Sequence, residues 1–146
     1  MMRLLGLILA TGVVVLGVFV TKVDLHGILD KPTMVFLAGF TLGSLLLNGV
    51  SIPLLIRSIY SGSLETSEIR EAAHGWSEAK TAVQVGGWAS FLLGFSLSAN
   101  WADVADHIGP IAGLLSMSIF YALLFAYLIC RPMQSRMEQK LRVIEA

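Results

Sequence analysis

Residues 108–132, IGPIAGLLSMSIFYALLFAYLICRP, decide the fold. No fixed charge lies between Asp106 and Arg131, and about twenty apolar residues rising ~1.5 Å each cross a bilayer core of roughly 30 Å. Gly109 and Pro110 stand near the start of the stretch, and Arg131 provides a cationic anchor at its end. The stretch therefore predicts a membrane-spanning helix. Small residues at helical spacing within it indicate that another helix packs closely on it.

The composition of the whole chain is typical of a polytopic membrane protein. Of its 146 residues, 55% are hydrophobic and 14% are charged, and the mean hydropathy is +0.77. These values lie outside the range of soluble domains. The formal net charge is zero, so we expect a lipid bilayer and no nucleic acid among the partners. The single cysteine, Cys130, excludes an intrachain disulfide and a cysteine-based metal cluster.

Four apolar runs divide the chain into a single membrane domain. We predict membrane spans at about 4–21, 33–56, 82–100 and 108–131, with a short loop at 57–80 and a tail at 132–146. The fold class is then all-α, an integral membrane protein with four transmembrane helices. A secretory signal is the alternative for the first run, but that run does not end in small residues. Pro53 lies late in the second run, where a kink or an early helix end is expected.

Lys and Arg residues near the span ends set the orientation. Lys22 and Lys31 fall on one side of a four-span arrangement. The other eight fall on the opposite side: Arg3, Arg57, Arg70, Lys80, Arg131, Arg136, Lys140 and Arg142. Both termini are therefore predicted to be cytoplasmic, together with the tail and the loop. Within the loop, Thr66 or Ser67 is predicted to cap a helical segment.

The apolar runs contain packing signals but no reactive groups. Five glycines lie at G-x-x-x-G spacing or in a stripe of small residues and are expected to pack against other helices: Gly39, Gly43, Gly87, Gly109 and Gly113. Apart from Arg131 at the end of the fourth run, the runs contain no Asp, Glu, Lys or Arg, so the chain has no proton carrier of its own. No nucleophile stands beside a base or a metal-ligand set, and we expect neither an enzyme nor a metal site.

Three stretches are similar to successive parts of one known family. ILDKPTMVFLAGFTLGSLLL, residues 28–47, is similar to a loop and second span that begin I-D-x-P-S and lead into G-G-T-L-G-A. GWASFLLGFSLSANWADVADHIGP, residues 87–110, is similar to a third span with two glycines seven apart and a turn into I-G-P. The opening stretch matches the fourth span at Tyr121, Leu124, Ala126 and Pro132. Together they resemble the MotA/TolQ/ExbB family, closest to the MotA/PomA-type flagellar stator A subunit.

The resemblance implies a pentameric ring in the bacterial inner (cytoplasmic) membrane. This ring surrounds a dimer of a single-span MotB/ExbD-like partner whose membrane aspartate carries the ion, and ion flow drives mechanical work. Protons are favoured over sodium because the family's paired threonines align with Ser118 and Ile119, and no further cofactor is expected. Residues 57–80 replace the large cytoplasmic insertion of the motor branch. An ExbB/TolQ-like energiser of envelope transport and a non-conducting four-helix scaffold are the alternatives.

In this interpretation, the third and fourth spans line a central pore. Four residues are predicted to face the ion pathway: Ser90, Gly94, Ser116 and Ser118. Asp30 is predicted to gather cations at the outer entrance, with a helix N-cap or first-turn acid as the alternative. A partner carboxylate that is shielded from water would have a raised pKa, and it would release its proton when a hydroxyl or water path opens.

Overall fold

The computed structural model describes residues 31–60, 64–98 and 108–145, which include five α-helices and no strand. The α-helices are α1 (Lys31–Leu47), α2 (Ile52–Tyr60), α3 (Thr66–Ser98), α4 (Ile108–Leu124) and α5 (Arg131–Ile144). A π-helical turn, Phe125–Cys130, joins α4 to α5 without a break. The predicted all-α class is thus confirmed for the described residues. The first predicted span, 4–21, lies outside them.

Two long helical rods form the centre of the fold. One rod is α3, and the other is α4 with the π turn and α5. The rods run antiparallel, because Gly94 of α3 lies against Leu115 while Arg70, near the start of α3, forms an ion pair of 3.0 Å with Glu145. We call the contact between the two rods the seam. In the apolar half of the seam, residues 81–98 of α3 pack against α4. Small side chains there allow the two backbones to approach closely.

The other half of the seam, with α2, resembles the core of a soluble helical protein. We call this part, made of α2, residues 66–80 of α3 and α5, the head. Its core is formed by buried side chains of these three helices, of the end of α1, of the turn before α2 and of the π turn: Leu45, Val50, Leu55, Ile69, Ala72, Trp76, Ala79, Cys130 and Met137. Polar groups surround this core, including the 2.8 Å ion pair between Arg57 and Glu68. The head is therefore built to contact water on its outer side.

Most of the predicted loop at 57–80 is helical. Residues 57–60 belong to α2, and α3 begins at Thr66 and continues far beyond residue 80. The cap is formed by Glu68, whose carboxylate accepts a hydrogen bond of 3.0 Å from the backbone N–H of Glu65. This is one half of a capping box. The helix therefore begins where the sequence predicts, although the capping side chain is Glu68 rather than Thr66 or Ser67.

The second predicted span, 33–56, consists of two helices at an angle of 107°. α1 ends because Gly49 adopts a φ of +68°, a left-handed conformation that favours glycine. The N–H groups of Gly49 and Val50 donate to the carbonyls of Leu46 and Leu45, which closes the helix end as a Schellman motif. Pro53 lies in the first turn of α2, where its missing N–H costs nothing. The expected early helix end is thus set by Gly49 rather than by Pro53.

Membrane-spanning potential is concentrated in the second rod. Among the described residues, Leu115–Ile144 is one helix that is long and apolar enough to cross a membrane, and α1 with α2 qualifies only as a bent pair. This weakly supports membrane association. Four spans and cytoplasmic termini remain predictions.

We expect Ser58→Ala to destabilise the head by about 1–3 kcal/mol, because it leaves a buried donor without an acceptor. The Trp76 Nε1–H donates to Ser58 Oγ over 2.9 Å, and Ser58 Oγ donates to the Leu55 carbonyl over 2.6 Å. Denaturant unfolding followed by circular dichroism measures the loss. Ser77→Ala is the control, because Ser77 follows Trp76 on α3 and its hydroxyl lies outside this buried network. Equal unfolding midpoints for the two variants would contradict the role of Ser58.

Candidate functional site

Two hydroxyl groups that the sequence assigns to an ion pathway meet in the seam. Ser90 Oγ of α3 donates to Ser118 Oγ of α4 over 3.2 Å. The Ser118 side chain is only 2% exposed, whereas Ser90 is half-buried and lies at the edge of the contact. The pair therefore joins a buried hydroxyl to one that is accessible from the surface of the two antiparallel rods, which together we call the hairpin.

The hydroxyl pair depends on the close approach of the two rods at Gly87. A Cβ atom at residue 87 would lie 2.3 Å from the Cβ of Ala122 and 3.1 Å from the carbonyl oxygen of Ser118. Both distances are shorter than ordinary van der Waals contacts, so only glycine allows this spacing. Gly87, which the sequence assigns to helix packing, thus lies in a close contact of α3 with α4.

The other two predicted pathway residues lie in different surroundings. Gly94 belongs to the seam, where a Cβ atom would be 2.3 Å from Leu115 Cδ2. Ser116 lies on the exposed side of α4, away from the buried face that holds Ser118. The structure therefore brings Ser90, Gly94 and Ser118 to one helix contact and places Ser116 outside it.

An open cleft lies beside the hydroxyl pair, between α3 and α4. Its volume is about 220 Å³, and it is lined by Gln84, Trp88, Ile119, Ala122 and Leu123. Gln84 supplies an amide to a surface that is otherwise apolar. Sequence reasoning did not select this residue as part of the site. The available signal was a lone amide within an apolar run, which in a membrane segment marks a functional position.

The Tyr121 hydroxyl adds a further polar group. The side chain is 5% exposed, and its oxygen has no hydrogen-bond partner among the described residues. Buried phenols ordinarily find a partner, because the loss of hydration is otherwise uncompensated. Tyr121 follows Ser118 by three residues on α4, so it lies one turn along the helix from the hydroxyl pair.

The remaining predicted positions contribute less to this site. Asp30 lies outside the described residues. Gly39 and Gly43 of α1 have open space where a Cβ atom would stand, so they pack against no described part of the chain. Gly109 and Gly113 lie on α4, at positions whose surroundings are not described.

Chemically, the arrangement can donate and accept hydrogen bonds but cannot hold a charge by itself. The apolar parts of α3 and α4 contain hydroxyls and an amide and no carboxylate. Within the described ranges, no group of three or more His, Cys, Asp or Glu residues could hold a metal ion. The apolar parts of α3 and α4 therefore offer hydrogen-bonding groups without an acid among the described residues.

Comparison with known proteins gives no match to a protein-family model, a curated protein or a solved structure.

Proposed function

We propose that this chain is an ion-channel-forming, stator-type subunit of the bacterial inner membrane. With a single-span partner that carries a membrane aspartate, it couples proton flow to mechanical work, and sodium is the less favoured ion. The observation that carries the proposal is the Ser90–Ser118 hydroxyl pair. It lies beside the close contact at Gly87, between two long helices without any acidic group in their apolar parts.

The two hydroxyls differ in exposure, and this difference supports a role in proton transfer. A carboxylate of the partner is desolvated between apolar helices, which favours its protonated form and raises its pKa. When that carboxylate reaches the half-buried Ser90, the serine hydroxyl can donate to its ionised form. This hydrogen bond lowers the pKa again and promotes proton release. Ser118 holds Ser90 in place by accepting its hydrogen bond in the resting arrangement.

The exposed apolar side chains support a place in a membrane assembly. Four large apolar side chains lie at helical spacing on α3 and are 50% to 59% exposed: Val85, Trp88, Leu92 and Phe95. In water such a surface would be an aggregation liability, whereas lipid or a neighbouring subunit would cover it. We propose that copies of the chain form a pentameric ring around a dimer of the partner.

Native mass measurement after purification in mild detergent tests the assembly. We expect a pentamer that retains a smaller single-span protein. A monomer or dimer without such a partner would overturn the stator proposal and favour the scaffold alternative. The soluble portion of the partner distinguishes a motor from an energiser of envelope transport, because that portion determines which structure the assembly binds.

We expect Ser118→Ala to reduce proton uptake several-fold in vesicles that contain both proteins, with the mass of the assembly unchanged. The substitution removes the acceptor of the Ser90 hydrogen bond. Ser135→Ala on α5 is the matched control, since it removes a hydroxyl far from the seam's apolar half. Replacing the partner's membrane aspartate by asparagine should abolish uptake. Unchanged uptake in that variant would contradict the mechanism.

A further inference from the structure

We infer that α2 is a membrane-surface foot, a short helix that lies in the lipid headgroup region and fixes the depth of the head. The inference rests on the membrane placement in the proposed function and adds a lipid contact to it. It does not depend on ion flow. Three observations carry it: the angle of the α1–α2 elbow, the distribution of side chains around α2, and the rigid attachment of α2 to α3.

The elbow turns the chain away from the direction of α1. α1 packs beside the apolar half of α3, where Gly86 lies against Leu37 and Phe40. Its end reaches the level of Glu78, whose carboxylate accepts a hydrogen bond of 3.4 Å from the Asn48 amide. Because α2 then leaves at 107° to α1, a membrane-crossing α1 requires α2 to run close to the plane of the bilayer surface.

The exposed face of α2 combines apolar, aromatic and cationic side chains. Arg57 forms its ion pair with Glu68, near the start of α3 and thus on the side away from the apolar half of the hairpin. Ile56 and Tyr60 lie one turn apart on the same exposed face of α2 and are 54% and 84% exposed. An exposed apolar side chain and a tyrosine beside an arginine are typical of helices that lie in a membrane interface, where the tyrosine ring and the arginine reach the headgroup level.

α2 is packed firmly on α3, so the depth of α2 in the membrane also sets the depth of the head. A Cβ atom on Gly75 would lie 2.9 Å from side-chain carbons of both Val50 and Leu55, so the turn and α2 sit directly on the α3 backbone. The Trp76–Ser58 hydrogen bond fixes α2 along its length. The headgroup region therefore crosses α3 close to Trp76, and the head core around Met137 lies outside the bilayer.

Site-directed spin labelling in vesicles of phosphatidylethanolamine and phosphatidylglycerol tests the foot. Single cysteines replace Ile56 and Tyr60 in a Cys130→Ala background, and labels are compared for collision with oxygen, which enters lipid, and with a water-soluble nickel complex. Leu92→Cys is the lipid reference and Glu71→Cys the water reference. Val143→Cys is the matched control, because Val143 is 79% exposed and apolar but lies near the end of α5. Circular dichroism verifies that each labelled protein is folded.

We expect the ratio of oxygen to nickel collisions at residues 56 and 60 to exceed the ratio at residues 71 and 143 several-fold, while staying below that at residue 92. If labels at 56 and 60 behave like those at 71 and 143 while the label at 92 remains in lipid, the foot is overturned and the proposed membrane function stands. A label at 92 that is as accessible to nickel as the label at 71 overturns both.

Discussion

Gly87→Ala should destabilise the helical hairpin by about 1–3 kcal/mol, the cost typical of overpacking a well-filled contact. The new methyl group would stand 2.3 Å from the Cβ of Ala122 and 3.1 Å from the Ser118 carbonyl oxygen. Neither neighbour can rotate away, since one is a methyl fixed to the α4 backbone and the other is part of that backbone. The rods must separate, which also lengthens the Ser90–Ser118 hydrogen bond. Unfolding in detergent with increasing denaturant measures the loss.

Two other glycines provide matched controls for Gly87. Gly39 faces open space, so Gly39→Ala should leave stability unchanged or raise it by up to about 1 kcal/mol through helix propensity. Gly94→Ala meets only the flexible end of Leu115 and should cost less than Gly87→Ala. Adding Ala122→Gly to Gly87→Ala removes the colliding methyl and should restore part of the loss. Equal stability of the Gly87→Ala and Gly39→Ala proteins would contradict the close contact.

Met137→Ala should destabilise the head by about 2–5 kcal/mol, the range found when a large buried side chain is truncated and a cavity remains. Met137 is completely buried and belongs to the same core as Ile69, Ala72 and Trp76. Packed side chains of both rods surround Met137. The helices can therefore move only a short way into the cavity that the truncation leaves. Thermal unfolding and denaturant unfolding of the purified chain both measure this effect.

Val143→Ala is the matched control, because Val143 lies on the same helix with its side chain largely exposed. Its substitution should change stability by no more than about 0.5 kcal/mol. If the two variants unfold at the same denaturant concentration, the core of the head is not packed as described here. A loss confined to Met137→Ala supports the packing of the head core around this side chain.

Helix class and close packing were accessible from the sequence because both have local signals. Uncharged apolar runs predict helices, and Gly87 with its neighbours at helical spacing predicts a tight contact. Which glycines are used was not accessible, since Gly39 and Gly43 have the same kind of spacing and yet have no described residue within 4 Å of their Cβ positions. A stripe of small residues provides a flat surface, and only the tertiary arrangement selects what covers it.

The head was underestimated for a different reason. Its core depends on contacts between residues far apart in the chain, such as Ser58 with Trp76, and helical periodicity contains no information about such pairs. The end of α1 did have a local signal in Gly49, but Pro53 is the more conspicuous helix breaker and drew the predicted boundary toward itself. The π turn at Phe125–Cys130 corresponds to no sequence pattern recognised above.

The shared seam has a mechanical consequence. From Ser90 to Thr66, α3 is one uninterrupted helix of about 36 Å at ~1.5 Å per residue. At that length, a tilt of about 5° at the hydroxyl pair moves the far end by ~3 Å. The second rod contains the π turn Phe125–Cys130, and the altered hydrogen bonding of such turns makes them places where helices bend. The two rods therefore differ in stiffness: α3 has no break between Thr66 and Ser98, whereas the second rod contains a turn at which bending is favoured.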